Sequence, residues 1–493
     1  MGGRRLLAAI TAAWIGVLLL FSLLFPVYRA PDEIDHVDLT LHVSETYDYP
    51  AFDELSLSQR TLTSAKLVRV PQRHLLGTDA PARPRPAYAE LGPDERSTLP
   101  NRMLQHPPAY YLTTAAVVDA ASALGADGLG HDAFVWLVRL VNIALLAPLP
   151  WLIYAASLRL TTRRGAALAA AFVPFAIPQL VHIGASANND NLLTLLGAVL
   201  LVLGARVLRG DHSMRTAVLL GIVVGFSLFT KAFGVVFAAW VGLLYIVVWV
   251  RTRSPGLAIG RLATAGVVSF AFGGWWWLRN LVVYERLRVA VPLYDPAAPG
   301  FEPDYVFWAK RFGVWLTESF WGWMGGLEAK LPEVLIGAAS VAAVTAIVVV
   351  LVRGKRTGLA RGETLLLLTP MLLLALIIVA ISLANYVDVG ETVGIQGRYL
   401  FAGVAGFAVV LGASLPERWW AVVPGAAVVM IVAAVWVTLG TYYGPEGSNV
   451  LTSLASWGSW MVVPPLIGVL LVAVPLAVAG FLGLTAPPSG LRQ

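Results

Sequence analysis

Cysteine is absent from the 493-residue chain. Its absence excludes disulfides, thiolate metal sites and cysteine nucleophiles. Charge is scarce: 13% of residues are Asp, Glu, Lys or Arg, where a soluble domain averages about a quarter. Lysine is far rarer than arginine. No low-complexity tract interrupts the chain, and no internal repeat of the kind that marks secondary transporters is visible. No glycine loop offers a nucleotide cradle, since Gly325-Gly326 alone does not make one.

What remains is apolar. Hydrophobic residues make up 58% of the chain, and the mean hydropathy is +0.73. Runs long enough to cross a bilayer recur from end to end, so the sequence predicts one all-α, polytopic membrane unit over 1–493. The net charge of +6 does not point to nucleic acid, because the arginines cluster in short loops between spans and serve topology. The richness in Arg, Ala, Gly and Val fits a GC-rich, bacterial genome.

Apolar segments fall at about 6–27, 109–126, 134–158, 166–184, 191–208, 215–230, 232–250, 259–282, 333–353, 363–384, 398–415, 419–440 and 459–484. Arg4-Arg5 ahead of the first run, without a clear cleavage site after it, predicts a membrane helix entering from the cytoplasm. The Arg-rich loops are 159–164, 206–215, 251–261, 353–361 and 417–418. They all fall inside only if 109–126 does not cross, and Asp119 near its middle disfavours a lipid-facing span. That segment is therefore expected to be a juxtamembrane helix, leaving about twelve spans with both termini cytoplasmic. Two large stretches, 28–133 and 283–332, then lie outside, and 403–493 holds C-terminal helices of no assigned role.

The polar residues are unevenly shared between the two faces. Pro31-Asp32-Glu33-Ile34-Asp35-His36, Gln105-His106-Pro107-Pro108, Asn188-Asn189-Asp190-Asn191, Thr230-Lys231, Arg279-Asn280, Trp321-Gly322-Trp323 and Gln396-Gly397-Arg398-Tyr399 all fall on the outer side. Such groups at membrane depth are costly unless they line a site. Asp32 or Glu33 near a low-dielectric boundary could have its proton affinity tuned for general-base work. The plainer alternative is that both cap a helix. His36 follows Asp32 at helical spacing. Lys231, Arg279 and Arg398 each stand at the outer end of a span, where a cation binds a lipid phosphate or merely snorkels. His106 is equally readable as a ligand-binding or a structural histidine, and Asp190 as a binding or capping residue. Trp321 could stack on a sugar or an isoprenoid chain.

This set resembles the GT-C superfamily of polyprenyl-phosphate-sugar glycosyltransferases, which includes protein O-mannosyltransferases, aminoarabinose transferases and mycobacterial arabinofuranosyltransferases. The likeness is strongest to a bacterial family with Pro-Asp-Glu-x-x-His, His-Pro-Pro-x-Tyr-Tyr and Gln-Gly-Arg-Tyr segments, here 31–36, 106–111 and 396–399. Arg279-Asn280 and Ser319-Phe320-Trp321-Gly322 also look like that family, and the likeness runs over about 26–402. Ala30-Pro31 stands where the family usually has Pro-Pro.

The resemblance implies a GT-C-like bundle in the bacterial cytoplasmic membrane with its active site outside. It implies an inverting transfer from a polyprenyl-phosphate-linked sugar to a cell-envelope glycan, lipid or protein. Asp32 would serve as base, with Glu33 the second candidate. Lys231, Arg279 and Arg398 would stabilise the leaving phosphate. His36, His106, Asp190, Tyr399 and Trp321 complete the candidate binding residues. Some relatives use a divalent cation and others do not, and Asp32, Glu33, His36 and His106 could assemble such a site. Two other readings stay open: a polymerase or ligase with a lipid-diphosphate donor, and a flippase of lipid-linked saccharides.

Overall fold

A computed structural model describes residues 2–68, 85–92, 95–290, 295–444, 449 and 451–453. The chain opens with α1 (Gly2–Leu24). The first large loop then folds as α2 (Glu33–Thr46), β1 (Ser56–Ser58), α3 (Gln59–Val68), β2 (Arg96–Pro100) and α4 (Ala109–Ser122). The helical body continues through α5 (His131–Leu146), α6 (Leu149–Thr161), α7 (Arg164–Phe172), α8 (Pro178–Gly184), α9 (Asp190–Leu208), α10 (Met214–Leu228), α11 (Val235–Thr252), α12 (Pro255–Ser269) and α13 (Trp275–Tyr284). Its remaining described elements are α14 (Tyr305–Trp321), the short strands β3 (Trp323–Met324) and β4 (Ala329–Lys330), α15 (Glu333–Arg353), α16 (Arg361–Val389), α17 (Val404–Ser414) and α18 (Val422–Tyr443).

Among the described residues, nine helical segments are long and apolar enough to cross a bilayer. The pair α7–α8, bent by 72°, makes a tenth if it counts as one span. Pro174 and Pro178 lie at that break, where proline removes donors and crowds the preceding turn. The 15-residue α10 is apolar but short. The expected span at 459–484 lies outside the described residues. The chain is thus a multi-pass, all-α membrane protein.

The helix at 109–122 has 14 residues, so at 1.5 Å per residue it reaches about 21 Å and falls short of a bilayer core. It packs on α2 instead. Asp119 accepts a hydrogen bond from Ser44, and Thr40 meets Thr114 at 3.1 Å. The charge that argued against a lipid-facing span is thereby satisfied within the loop. The strands β1 and β2 pair antiparallel beside these helices.

The body is held by close apolar packing around α17, most of which is buried. A Cβ at Gly412 would strike the backbone of Ala166 and Ala170, so only glycine allows α17 to approach α7 this closely. At the N-terminal end of the same segment, a Cβ at Gly397 would collide with the backbone of Ser319 and Phe320. Gly397 N donates to Ser319 Oγ at 2.8 Å. The sequence segments 319–322 and 396–399 are therefore packed against each other, which fixes where Arg398 enters the protein.

Candidate active site

A cavity of about 380 Å³ opens where α2, the 102–106 segment, α11, α16 and the 393–399 segment meet. Its polar lining includes Asp32, His36, Arg102, His106, Lys231 and Arg398. Its apolar lining includes Phe233 and Val235 near the start of α11 and Ile377, Ile378 and Ile381 of α16. Gln105, Arg288, Asn385 and Gln396 complete the polar wall.

Asp32 stands at the start of α2 in the left-handed region, with φ 61° and ψ 8°. Aspartate tolerates that region better than most residues, but the conformation must still be held in place. Its side chain makes no capping bond to the helix. One carboxylate oxygen instead accepts from Arg398, and the other faces Arg102 Nη2 at 3.4 Å. Arg398 also donates to Pro31 O at 3.1 Å. Burial favours the neutral acid, but the charge and hydrogen bonds of Arg398, with help from Arg102, outweigh it. The carboxyl is held well below the ordinary carboxylate range.

Lys231 sits at the tight turn between α10 and α11. Its Nζ donates to Asp190 Oδ1 at 2.5 Å and to Asn189 Oδ1 at 3.2 Å, and it lies 5.0 Å from the centre of the Tyr399 ring. Burial lowers its proton affinity and Asp190 works against that. Asp190 also faces Arg398 Nε at 3.7 Å, so one carboxylate positions both cations. Arg102 is held by Asp35, with contacts of 3.3 and 2.8 Å to its side chain. His36 is buried and His106 half-buried, and desolvation holds each well below its usual value.

Glu33 occupies a different place from its neighbour. It is fully buried and turned away from the cavity, bound to Arg139 by bonds of 2.8 and 2.7 Å. It also accepts from Tyr28 N at 2.7 Å and Ala187 N at 3.0 Å. The remaining Arg139 donors go to Ser22 O, Phe25 O and Pro26 O at the end of α1. This ion pair ties together the end of α1, α2, α5 and the 187 turn.

Seven of the expected residues thus meet around one cavity: Asp32, His36, His106, Lys231, Arg398 and Tyr399 line it, and Asp190 braces two of its cations. Three do not reach it. Glu33 is enclosed by Arg139. Arg279 lies over Trp276, 4.8 Å from its ring centre, in a packed aromatic corner with Tyr284. Trp321 is buried, and its indole donates to Ser340 at 2.9 Å. Sequence reasoning did not single out Arg102, Arg139 or Arg288. Arg139 carried a legible signal, a charge inside an apolar run. Among the described residues, no group of three or more His, Asp or Glu side chains is placed to hold a metal ion.

In this multi-pass helical body a carboxylate and several cations share one cavity with apolar side chains. Residues 127–276 match the family model of dolichyl-phosphate-mannose-protein mannosyltransferase. Over that stretch, under a third of its length, the chain is similar to this family of membrane glycosyltransferases. Among solved structures, it is similar to ArnT from Cupriavidus metallidurans bound to undecaprenyl phosphate, at 13% identity and a TM-score of 0.48, over 97% of this chain and 77% of that one. It is also similar to the Archaeoglobus fulgidus oligosaccharyltransferase in complex with Zn and sulfate, at 13% identity and a TM-score of 0.40. That likeness covers 92% of this chain and 53% of the archaeal one. A search of curated proteins returns no match.

Proposed function

We propose that the chain moves a single sugar from a polyprenyl-phosphate donor to a hydroxyl or amine of a cell-envelope acceptor, with inversion, at the outer face of a bacterial cytoplasmic membrane. The observation that carries this reading is the cavity itself: Asp32, Lys231 and Arg398 share one pocket with apolar side chains of α11 and α16. An isoprenoid tail would lie along Val235, Ile377, Ile378 and Ile381, bringing its phosphate to the cations.

Four cations line the cavity, Arg102, Lys231, Arg288 and Arg398, and would draw in the negative charge of a lipid phosphate.

In the reaction, the acceptor oxygen or nitrogen forms a bond to the anomeric carbon as the bond from that carbon to the phosphate oxygen breaks. The electron pair leaves on the polyprenyl phosphate, where Lys231 and Arg398 neutralise the growing charge. The acceptor proton passes to Asp32. A carboxylate held by Arg398 is a weak base, but it stays ionised, and the acceptor becomes acidic as its bond to the sugar forms. As Arg398 turns its charge toward the leaving phosphate, it releases Asp32 and strengthens it as a base.

Asp32→Asn tests the assignment. Transfer of a labelled sugar from a synthetic polyprenyl phosphate should fall by about a thousandfold or more, with the protein still folded and inserted. Wild-type rates in that variant would remove Asp32 from the mechanism.

A further inference from the structure

His36 lies one turn along α2 from Asp32 and is 2% exposed, yet it lines the cavity. Its ring is stacked against Tyr111, with planes 19° apart, and meets the edge of Tyr110. Its Nδ1 is 2.9 Å from Tyr111 Oη. This single contact fixes the proton. Were Nδ1 the donor, the buried Tyr111 hydroxyl hydrogen would have no acceptor recorded among the described residues, which costs the full desolvation of that group. With Tyr111 donating to Nδ1, both groups are satisfied, and the ring hydrogen stands on Nε2, the nitrogen left to face the cavity.

The surroundings keep the ring uncharged. Arg102, Lys231 and Arg398 face it and oppose a further proton, Asp32 favours one, and burial outweighs that single carboxylate. His106, the other imidazole on the cavity wall, is likewise held neutral by burial. A neutral N–H in fixed orientation differs in use from a further cation. It adds direction without adding charge, in a pocket already lined by Arg102, Lys231, Arg288 and Arg398.

We propose that His36 binds the lipid-borne phosphate of the donor directly, as a neutral hydrogen-bond donor through Nε2, with Tyr111 holding the ring in that tautomer. The inference rests on the glycosyl-transfer reading for the identity of the ligand. Its role is to aim one phosphoryl oxygen so that the bond to the sugar lies in line with Asp32. Tyr111 acts through His36 and is a positioning residue.

The test is binding of the methyl diester of a short polyprenyl phosphate to the full chain in detergent, measured from pH 5.5 to pH 8. This probe keeps one negative charge throughout, so any pH dependence belongs to the protein. The expected wild-type Kd varies by less than about twofold across the range. His36→Ala should weaken binding about tenfold or more, since the lost bond is to a charged oxygen. His36→Gln, which carries an amide N–H near the position of Nε2, should recover most of that loss, and melting curves of both variants separate binding from folding. Affinity that strengthens toward pH 5.5 in the wild type, and loses that trend in His36→Gln, would mean an imidazolium and overturn the proposal. Unchanged affinity in His36→Ala would overturn it as well, leaving the donor assignment intact. No binding by the wild type would overturn both.

Discussion

Replacing Glu33 by Gln separates a structural carboxylate from a chemical one. Glu33 accepts four hydrogen bonds, two from Arg139 at 2.8 and 2.7 Å and two from the backbone of Tyr28 and Ala187 at 2.7 and 3.0 Å. An amide keeps one acceptor oxygen and loses the charge, so Arg139 is left buried with no counterion in this cluster. Breaking a buried pair in this way costs about 3–5 kcal/mol. Against a total stability of about 5–15 kcal/mol this is a large fraction. The melting midpoint in detergent, followed by tryptophan fluorescence, should drop by on the order of 5–10 °C. Because Glu33 directly follows Asp32, whose backbone is left-handed, the folded fraction should lose some turnover while donor binding changes little. A variant that melts with the wild type yet transfers no sugar would refute this reasoning and return Glu33 to the chemistry.

Two further outcomes follow from the electrostatics. Arg398 holds Asp32 below the ordinary carboxylate pKa of about 4 against the pull of burial, so wild-type transfer should show no acid limb from Asp32, His36 or His106 between about pH 5 and 8. Arg398→Gln removes the opposing charge, burial then raises Asp32, and the limb in a pH–rate profile should move upward; a limb that stays put would count against the pairing. The same depression means that Asp32 stabilises the fold above its unfolded pKa of about 3.9, a contribution lost as pH falls through the lower folded value. Asp190→Asn takes away the group that offsets the burial of Lys231, so donor KM should rise as pH increases. A KM in that variant that ignores pH would sink the role given to Lys231.

Much of this arrangement is readable in the sequence, because the signals are long or costly. Apolar runs of membrane length and the arginine bias between them mark most of the helices, and Asp119 within 109–126 marks a helix that packs on its neighbour rather than on lipid. Asp32, His36, His106, Lys231 and Arg398 stand out because each is expensive at the edge of a bilayer unless it lines a site. Chain order cannot say which such groups converge. Arg279 and Trp321 carry the same signal but spend their polar atoms and rings on local packing. Asp32 and Glu33 are adjacent, yet the left-handed backbone at Asp32 sends one toward the cavity and the other to Arg139. Arg102 and Arg288 lie in stretches where an arginine is ordinary, and only tertiary structure brings them to the cavity wall.

The position of a bound polyprenyl phosphate, read from an experimental density map of the full chain, bears most directly on the donor site. We expect its phosphate within hydrogen-bonding distance of Lys231 and Arg398, with the first isoprene units between α11 and α16. A phosphate seated instead in the separate apolar cavity bounded by Trp136, Leu137 and Tyr443 would contradict the account.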